Sequence, residues 1–187
     1  MTRFKYYVAS SLDGFIADRN NDIGWLTERD VSVDQQDTAE AGIPEFVAGI
    51  GAVVMGSSTY RFLLGLGPEA DWGFDVPAWV LSHGSPTVAP GHDVRFHSGD
   101  VAEIVDELTA AAGGRDVWII GGGDVAAQFA AIGALHEVEV TIIPIVLGEG
   151  APLLTARNHI ELALLRSAAH ADGTVSLRYE VVSPSRR

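Results

Sequence analysis

Three consecutive glycines, Gly121 to Gly123, stand where a short β-branched run ends and a helical pattern begins. The residues from Val117 to Ile120 predict a buried strand, and those from Val125 to Ala131 predict a helix. Glycine lets a backbone approach a ligand closely, and the unpaired N–H groups of a helix's first turn attract negative charge. The pattern therefore predicts an anion site, with the diphosphate of a nucleotide-type cofactor as its usual occupant. The alternative is a tight strand-to-helix turn that binds nothing.

The elements that must position this turn alternate between strand and helix. Strands are predicted at residues 3–10, 52–55, 78–82, 94–96, 117–120, 137–143, 162–169 and 174–182, and helices at 35–50, 60–64, 101–112 and 125–131. Gly42 and Pro44 argue that the first of these helices is broken or starts late. Asp100 and Glu103 resemble a capping box for the third. Residues 11–21 and 65–77 are predicted loops. We therefore expect an α/β fold with a mixed sheet, parallel first and antiparallel at its C-terminal edge.

The composition limits the function classes. A chain of 187 residues with no cysteine and a net charge of −13 is expected to form a single domain over residues 1–183, with a frayed tail at 184–187. The lack of cysteine fits a reducing cytoplasm and excludes thiolate chemistry. Lys5 is the only lysine, and the basic residues do not cluster, so we expect neither nucleic acid nor an anionic membrane as a partner. No apolar run approaches the ~20 residues of a membrane span.

Gly121, Gly123 and Ala126 match the G-x-G-x-x-A dinucleotide fingerprint, but its context is missing. That fingerprint opens the first βαβ unit of a Rossmann domain and is followed about 20 residues later by an acidic residue at the end of the second strand. Here it lies two-thirds of the way along the chain, and Glu137 and Glu139 stand at the start of the next strand. A standard Rossmann domain is therefore a poor fit.

Four segments in order resemble a known family. They are the opening strand and turn from Val8 to Ala17 (with Trp25 closing the loop), Val53 to Tyr60, Val80 to Ser82, and the run from Ile119 through the glycines to Gly150. Together they resemble the dihydrofolate reductase superfamily, in the branch of the reductase domain of the bifunctional riboflavin-biosynthesis deaminase-reductase. The likeness spans nearly the whole chain. This chain lacks the length and the cysteines for the zinc deaminase domain of the bifunctional enzymes.

The resemblance implies a three-layer fold, with helices on both faces of a mostly parallel sheet, and an NADPH-dependent reductase that forms a homodimer. It also implies a cis peptide bond within the glycine run. Hydride transfer needs no side-chain nucleophile, so the protein must align the nicotinamide with the substrate and exclude water. The implied cofactor-binding residues are Ala9, Ile16 and Ala17 at the nicotinamide end, Gly56, Ser57, Ser58, Thr59, Gly121, Gly122, Gly123, Asp124 and Val125 at the phosphates, and Ser82 and His83 at the adenosine 2′-phosphate.

Two departures from the family pattern concern the cofactor and the proton. Ser57 stands where the family has an arginine after "MG", so NADH becomes possible unless Arg61 or His83 compensates. The family's acidic residue after the loop tryptophan corresponds to Asp30, which is either a catalytic proton donor or a solvated loop carboxylate. Asp13 is the second catalytic candidate, and its alternative is an Asx-type turn that holds Gly14.

Three functions stay open from the sequence. The first is a reductase of a small heterocyclic substrate, either the ribosylaminopyrimidine of riboflavin synthesis or another heterocycle. The second is a dihydrofolate reductase, and the third is a non-catalytic nucleotide-binding or sensor protein that keeps the glycine turn. The six histidines show no metal-ligand spacing, so no metal is expected. No serine stands in a Gly-x-Ser-x-Gly context, which disfavours a serine hydrolase.

Overall fold

The computed structural model describes residues 1–29, 39–68, 70–84, 87–156 and 158–182. The strands within these ranges are β1 (Phe4–Ser11), β2 (Phe15–Asp18), β3 (Ile50–Gly56), β4 (Ala78–Leu81), β5 (Val94–His97), β6 (Asp116–Gly121), β7 (Glu137–Ile143), β8 (Gly150–Pro152), β9 (Glu161–Ala169) and β10 (Val175–Val182). The helices are α1 (Gly24–Thr27), α2 (Ile43–Ala48), α3 (Ser57–Gly65), α4 (Val105–Ala111) and α5 (Gly123–Ala131), with 3-10 turns at Ala39–Gly42 and Val101–Ile104. None of these helices has the length and apolar composition to cross a membrane.

Eight strands form one mixed sheet in the order β5-β4-β3-β6-β1-β7-β10-β9, and β2 pairs with β8 in a separate two-stranded sheet. The first six strands in this spatial order, β5, β4, β3, β6, β1 and β7, are parallel to one another. The last two, β10 and β9, are antiparallel to their neighbours. Parallel strands require crossover connections, and α3 and α5 supply two of them after β3 and β6. The expected mixed sheet with antiparallel C-terminal strands is confirmed.

Apolar side chains cover both faces of the parallel strands, as expected of strands buried on two sides. On one face, Phe4 and Tyr6 of β1 pack with Leu108 of α4 and Phe129 of α5. On the other face, Met55 and Val80 pack with residues of α3 and the following loop, namely Tyr60, Leu63 and Trp72. The central strands are thereby buried on both faces.

Charged residues occupy the amino-terminal part of the sheet where β1, β7 and β10 meet. The side chain of Glu137 is only 3% exposed and lies between two arginines, 3.0 Å from Arg3 and 2.5 Å from Arg178. Lys5 pairs with Asp116 at 2.6 Å beside them. A buried carboxylate is tolerated only when it is paired in this way, so this cluster accounts for the position of Glu137 at the start of β7.

The structure differs from the sequence-based expectation at its shortest elements. The predicted loop at 11–21 contains β2, which pairs with β8, a second strand that the sequence did not predict, and strands this short are not stable without a partner. The predicted helix at 35–50 starts late, at Ile43 with Pro44 in its first turn, and residues 35–38 lie outside the described ranges. The Asp100 side chain caps Ala102, as expected, but Glu103 does not close a capping box and instead lies near His97.

Candidate active site

The candidate cofactor residues gather at the carboxyl-terminal edge of the parallel strands. Neighbouring strands bring Leu81, Gly56 and Gly121 to this edge, since Gly56 pairs with Leu81 and Met55 pairs with Gly121. β1 lies beside β6 and ends at the same edge, with the turn that holds Asp13 directly after it. The carboxyl edge of a parallel sheet is the usual place for ligands in open α/β folds. The fold therefore brings four chain segments together where a ligand is expected.

Two helices begin side by side at this edge. α3 starts at Ser57 after the N-cap Gly56, and α5 starts at Gly123 after the N-cap Gly122. Both N-cap residues are glycines, so no N-cap side chain accepts a hydrogen bond from the first-turn amides of either helix. The two N-caps are adjacent, because a Cβ on Gly122 would lie 3.9 Å from the Cα of Gly56. The positive ends of two helix dipoles therefore converge on one place, which suits a ligand with two neighbouring phosphates.

Each glycine of the run is required by a different contact within the protein. A Cβ on Gly121 would lie 2.5 Å from the Thr59 hydroxyl, and one on Gly123 would lie 2.7 Å from the carbonyl oxygen of Leu153 and closer still to that of Pro152. Gly122 has a φ of 91°, which an L side chain rarely adopts. Packing within the protein therefore requires the glycines of this tight turn, and the same turn leaves the N-terminus of α5 without a side-chain cap. A structural turn and an anion site are thus compatible interpretations of the glycine run. No peptide bond in the described ranges is cis, so the expected cis bond in this run is wrong.

Arg61 supplies a cation near the first turn of α3. Its guanidinium Nη2 donates a hydrogen bond to the Ser58 hydroxyl at 3.2 Å, one turn back along the helix. On the neighbouring strand end, the Ser82 hydroxyl accepts a hydrogen bond from the Gly84 amide at 3.2 Å, and His83 is exposed. The two positions predicted for the 2′-phosphate, Ser82 and His83, therefore both follow β4, and Arg61 lies on the helix that follows the neighbouring strand β3.

The small sheet formed by β2 and β8 lies against the glycine turn. Ala17 of β2 is buried and pairs with Ala151 of β8. The Leu153 amide donates to the Gly14 carbonyl at 2.8 Å, and its carbonyl accepts from the Tyr6 hydroxyl at 2.9 Å. Ile16 and Ala17 are thereby carried to the same end of the sheet as the start of α5. Ala9 is half-buried near the end of β1.

Asp13 joins two loops. Its carboxylate accepts hydrogen bonds from the Ser11 hydroxyl at 2.6 Å, from the Leu147 amide at 3.1 Å and from the Gly148 amide at 2.7 Å. The hydrogen bond from Ser11, followed by those from the two amides, lowers the pKa of Asp13 to about 2. The carboxylate is therefore ionised at neutral pH and engaged through both oxygens, so it stabilises the loop after β7 and does not hold a transferable proton.

The second catalytic candidate from the sequence is not placed by the structure. Asp30 lies outside the described residues. Glu149, in the Gly-Glu-Gly turn, forms an exposed ion pair with Arg19 at 3.2 Å. The indole N–H of Trp25 is buried and has no hydrogen-bond partner among the described residues, which is unusual for a buried donor.

Sequence reasoning missed a row of polar side chains beside Ala9. Ala9 of β1 pairs with Thr141 of β7, which pairs with Ser176 of β10. The Thr141 and Ser176 hydroxyl oxygens are 3.4 Å apart, and His170 Nε2 lies 2.9 Å from the Ser176 hydroxyl oxygen. The available signal was Thr141 itself, a polar residue in an otherwise apolar strand end. Its partners could not be predicted, because Ser176 lies on another strand and His170 on the turn before that strand.

The model of the family described as the RibD C-terminal domain matches residues 76–176. The chain belongs to this family. It is 30% identical over 173 residues to the uncharacterized protein YwjB of Bacillus subtilis (strain 168), covering 92% of this chain and 94% of YwjB. The family resemblance seen in the sequence is therefore confirmed.

Solved structures with this fold agree with the family. A protein from Shewanella sp. PV-4 that is named for riboflavin biosynthesis shares 26% identity and superposes with a TM-score of 0.77, covering 98% of this chain and 100% of that protein. The dihydrofolate reductase of Enterococcus faecalis, complexed with NADP(H), shares 16% identity at a TM-score of 0.61 and covers 97% of each chain. The dihydrofolate reductase-like fold of this family member is confirmed.

Proposed function

We propose that this chain is an NADPH-dependent reductase that transfers a hydride to a small heterocyclic substrate. The first substrate to test is 5-amino-6-(5-phosphoribosylamino)uracil. The proposal is supported by membership of the RibD C-terminal domain family and by a fold shared with dihydrofolate reductase. It includes a single domain over residues 1–183 and a cytoplasmic location.

The observation that carries the proposal is the pair of uncapped helix N-termini at Gly56 and Gly122. Their first-turn amides can hold a diphosphate without any lysine, as the strongly acidic composition of the chain requires. When bound, the reduced nicotinamide supplies the hydride. The chain's own residues have three tasks: α3 and α5 hold the phosphates, β2 covers the nicotinamide end, and the carboxylate of Asp13 holds the loop after β7 in place.

Arg61 favours NADPH over NADH in this proposal. A serine at position 57 cannot form the forked hydrogen bonds that arginine makes with a phosphate. The hydrogen bond from Arg61 to Ser58 brings a guanidinium back toward the first turn of α3. Arg61 therefore takes over the role of the arginine that the family carries at position 57.

The test is calorimetric titration of the protein with NADPH and NADH, using Ser57→Asp and a matched control. A carboxylate at position 57 suits the helix dipole but repels the diphosphate, and two charges about 6 Å apart repel by about 1–3 kcal/mol at an effective dielectric constant of 20–80. We expect S57D to weaken NADPH binding roughly tenfold or more. Thr109→Asp adds the same charge at an exposed position on α4 and should leave binding unchanged.

Each result discriminates between functions. Wild-type protein that binds neither NADPH nor NADH would contradict the reductase proposal. The glycine run would then have only a structural role, as a tight turn between β6 and α5. Binding that is insensitive to S57D would place the cofactor elsewhere. Oxidation of NADPH with 5-amino-6-(5-phosphoribosylamino)uracil supports the proposal, and oxidation with dihydrofolate instead would identify a dihydrofolate reductase. Tight binding without turnover on either compound would favour a nucleotide sensor.

We also propose that the protein is a homodimer through the edge strand β9. Leu162, Leu164 and Leu165 are 39%, 56% and 51% exposed on this nine-residue strand. A long apolar edge strand is prone to pair with another chain. Sedimentation should show a dimer at micromolar concentration that Leu164→Lys dissociates, whereas a wild-type monomer would contradict the proposal.

A further inference from the structure

Reduction of a substrate by hydride transfer also consumes one proton, and the described part of the site contains no obvious donor. Asp13 is exposed, is ionised at neutral pH and accepts three hydrogen bonds. Ala9, Gly56 and the glycines of the run carry no titratable group. Among the described residues, the candidate donors are therefore the side chains that line the same face of the sheet near Ala9.

The row from Ala9 to His170 meets this requirement. Residues paired across adjacent strands point to the same face, so the Thr141 side chain lies on the Ala9 side of the sheet. Thr141 is buried, with 6% of its surface exposed, and its hydroxyl neighbours that of Ser176 at 3.4 Å. His170, at the turn between β9 and β10, reaches the Ser176 hydroxyl at 2.9 Å. Hydroxyl groups can accept and donate at once, so the three side chains form a path with a titratable group at its outer end.

We propose that His170 delivers the substrate's proton through Ser176 and Thr141, a role that rests on the proposed reductase function. When the carbon of a C=N bond in the substrate accepts the hydride (for 5-amino-6-(5-phosphoribosylamino)uracil, the ribosyl C1′ of the ring-opened imine form), the π-electron pair moves to nitrogen. That nitrogen takes the hydroxyl proton of Thr141, Thr141 takes one from Ser176, and Ser176 takes one from Nε2 of the His170 imidazolium. His170 is left neutral and regains its proton from water. The distance of 3.4 Å between the hydroxyls must shorten for transfer, as catalytic hydrogen bonds do when substrate binds.

The charges around His170 are compatible with an imidazolium. Asp172 lies in the same turn. Its carboxylate accepts hydrogen bonds from the Thr174 amide and hydroxyl and forms an ion pair with Arg29 at 3.4 Å. Burial raises the pKa of Asp172. The hydrogen bonds from Thr174 and the nearby charges of Arg29 and His170 together lower it by more, so the pKa of Asp172 is below its ordinary value. The next row of the same face carries Glu139, Arg178 and Arg166. His170 therefore faces both signs of charge, with the carboxylate in its own turn.

The experiment measures kcat against pH for NADPH oxidation with 5-amino-6-(5-phosphoribosylamino)uracil, in wild type, His170→Gln and Ser176→Ala. Wild-type kcat should fall as pH rises, because the path delivers a proton only while its outer end carries one. Both variants should lose this limb and about 100-fold in kcat at the low-pH end, the contribution typical of a positioned acid. The NADPH dissociation constant should not change. The solvent deuterium isotope effect should rise in the variants, while the effect of deuterium at the nicotinamide C4 falls.

The controls keep the outcome interpretable. His159→Gln and Thr109→Ala remove an exposed imidazole and an exposed hydroxyl far from the row, and both should behave as wild type. Ser176→Ala interrupts the path but leaves both of its ends in place. A wild-type pH profile in both path variants would overturn the proton path and leave the reductase function standing. Absence of NADPH oxidation in wild type with this substrate or with dihydrofolate would overturn both.

Discussion

Replacing Gly123 by alanine tests whether the glycine turn is packed as tightly as the structure shows. The new Cβ would lie 2.7 Å from the Leu153 carbonyl oxygen and closer still to that of Pro152, whereas real Cβ atoms are essentially never found within 3.0 Å of such a neighbour. Both obstacles are backbone atoms. Leu153 is also held on both sides, by Gly14 at 2.8 Å and by the Tyr6 hydroxyl at 2.9 Å. The strain therefore cannot be relieved by the rotation of one side chain.

The expected loss of stability has two parts. Overpacking costs about 1–3 kcal/mol. Displacing Leu153 would leave the buried Tyr6 hydroxyl without its acceptor, which adds about 1–3 kcal/mol, while the helix preference for alanine over glycine returns less than about 1 kcal/mol. The net loss is about 1–5 kcal/mol. For a chain of this size each kcal/mol corresponds to about 2–4 °C in Tm, so Gly123→Ala should lower Tm by roughly 2–20 °C.

The assay is thermal unfolding of the protein by circular dichroism without any nucleotide. Leaving the cofactor out separates internal packing from ligand binding. Gly65→Ala is the matched control, because a Cβ at this last residue of α3 meets nothing within 4 Å. The Tm of this variant should equal that of wild type or be slightly higher, since alanine favours a helix over glycine. A Gly123→Ala protein that unfolds within about 2 °C of wild type would refute the close approach of Pro152 and Leu153 to α5.

Three further predictions follow from single contacts. The folded-state pKa of Asp13, about 2, is below its ordinary value of 3.8, so the stabilising effect of this carboxylate is present above about pH 4 and is lost as pH falls toward 2. Asp13→Asn should therefore unfold at a lower temperature than wild type at pH 7, and the difference in Tm should vanish near pH 2. A difference in Tm that does not change with pH would contradict this origin. Ser57→Arg should tighten NADPH binding about tenfold, and Arg61→Gln should weaken it, because a charge-assisted hydrogen bond to a phosphate contributes about 1.5–3 kcal/mol. Neither variant should change the binding of NADH, which lacks the 2′-phosphate. Calorimetry with both nucleotides measures these affinities, and equal effects on NADH and NADPH would refute the prediction. Glu137→Gln should destabilise the protein by about 2–3 kcal/mol in urea unfolding, less than for a fully buried pair because its arginines are 37% and 39% exposed, and an unchanged midpoint would show that the cluster contributes nothing.

Local pattern was enough to predict much of the fold. The β-branched runs that became β1, β3, β6, β7 and β10 carry the period-two or fully apolar patterns of strands, and the structure contains them within a few residues of the predicted bounds. The glycine run predicted both the end of β6 and the start of α5, because glycine between a strand and a helix signals that turn by itself. The order of the four family segments predicted the dihydrofolate reductase-like fold that the comparison with solved structures confirms.

The sequence by itself determined the longer strands and helices and the turns between them, since these depend on side-chain period, caps and glycine conformation within a few residues. It also determined that any phosphate must be held mainly by backbone amides, because lysine occurs once and the net charge is −13. It did not reveal that Gly56 and Gly122 are adjacent, that Asp13 holds the loop at Leu147 and Gly148, or that His170 reaches Thr141 through Ser176. These contacts join segments that are far apart in the sequence and lie on different strands or directly after them, so only the order and register of the sheet decide them. β2 and β8 are the same case at the level of an element: each is too short to be stable alone, and each exists because the tertiary structure brings the other beside it.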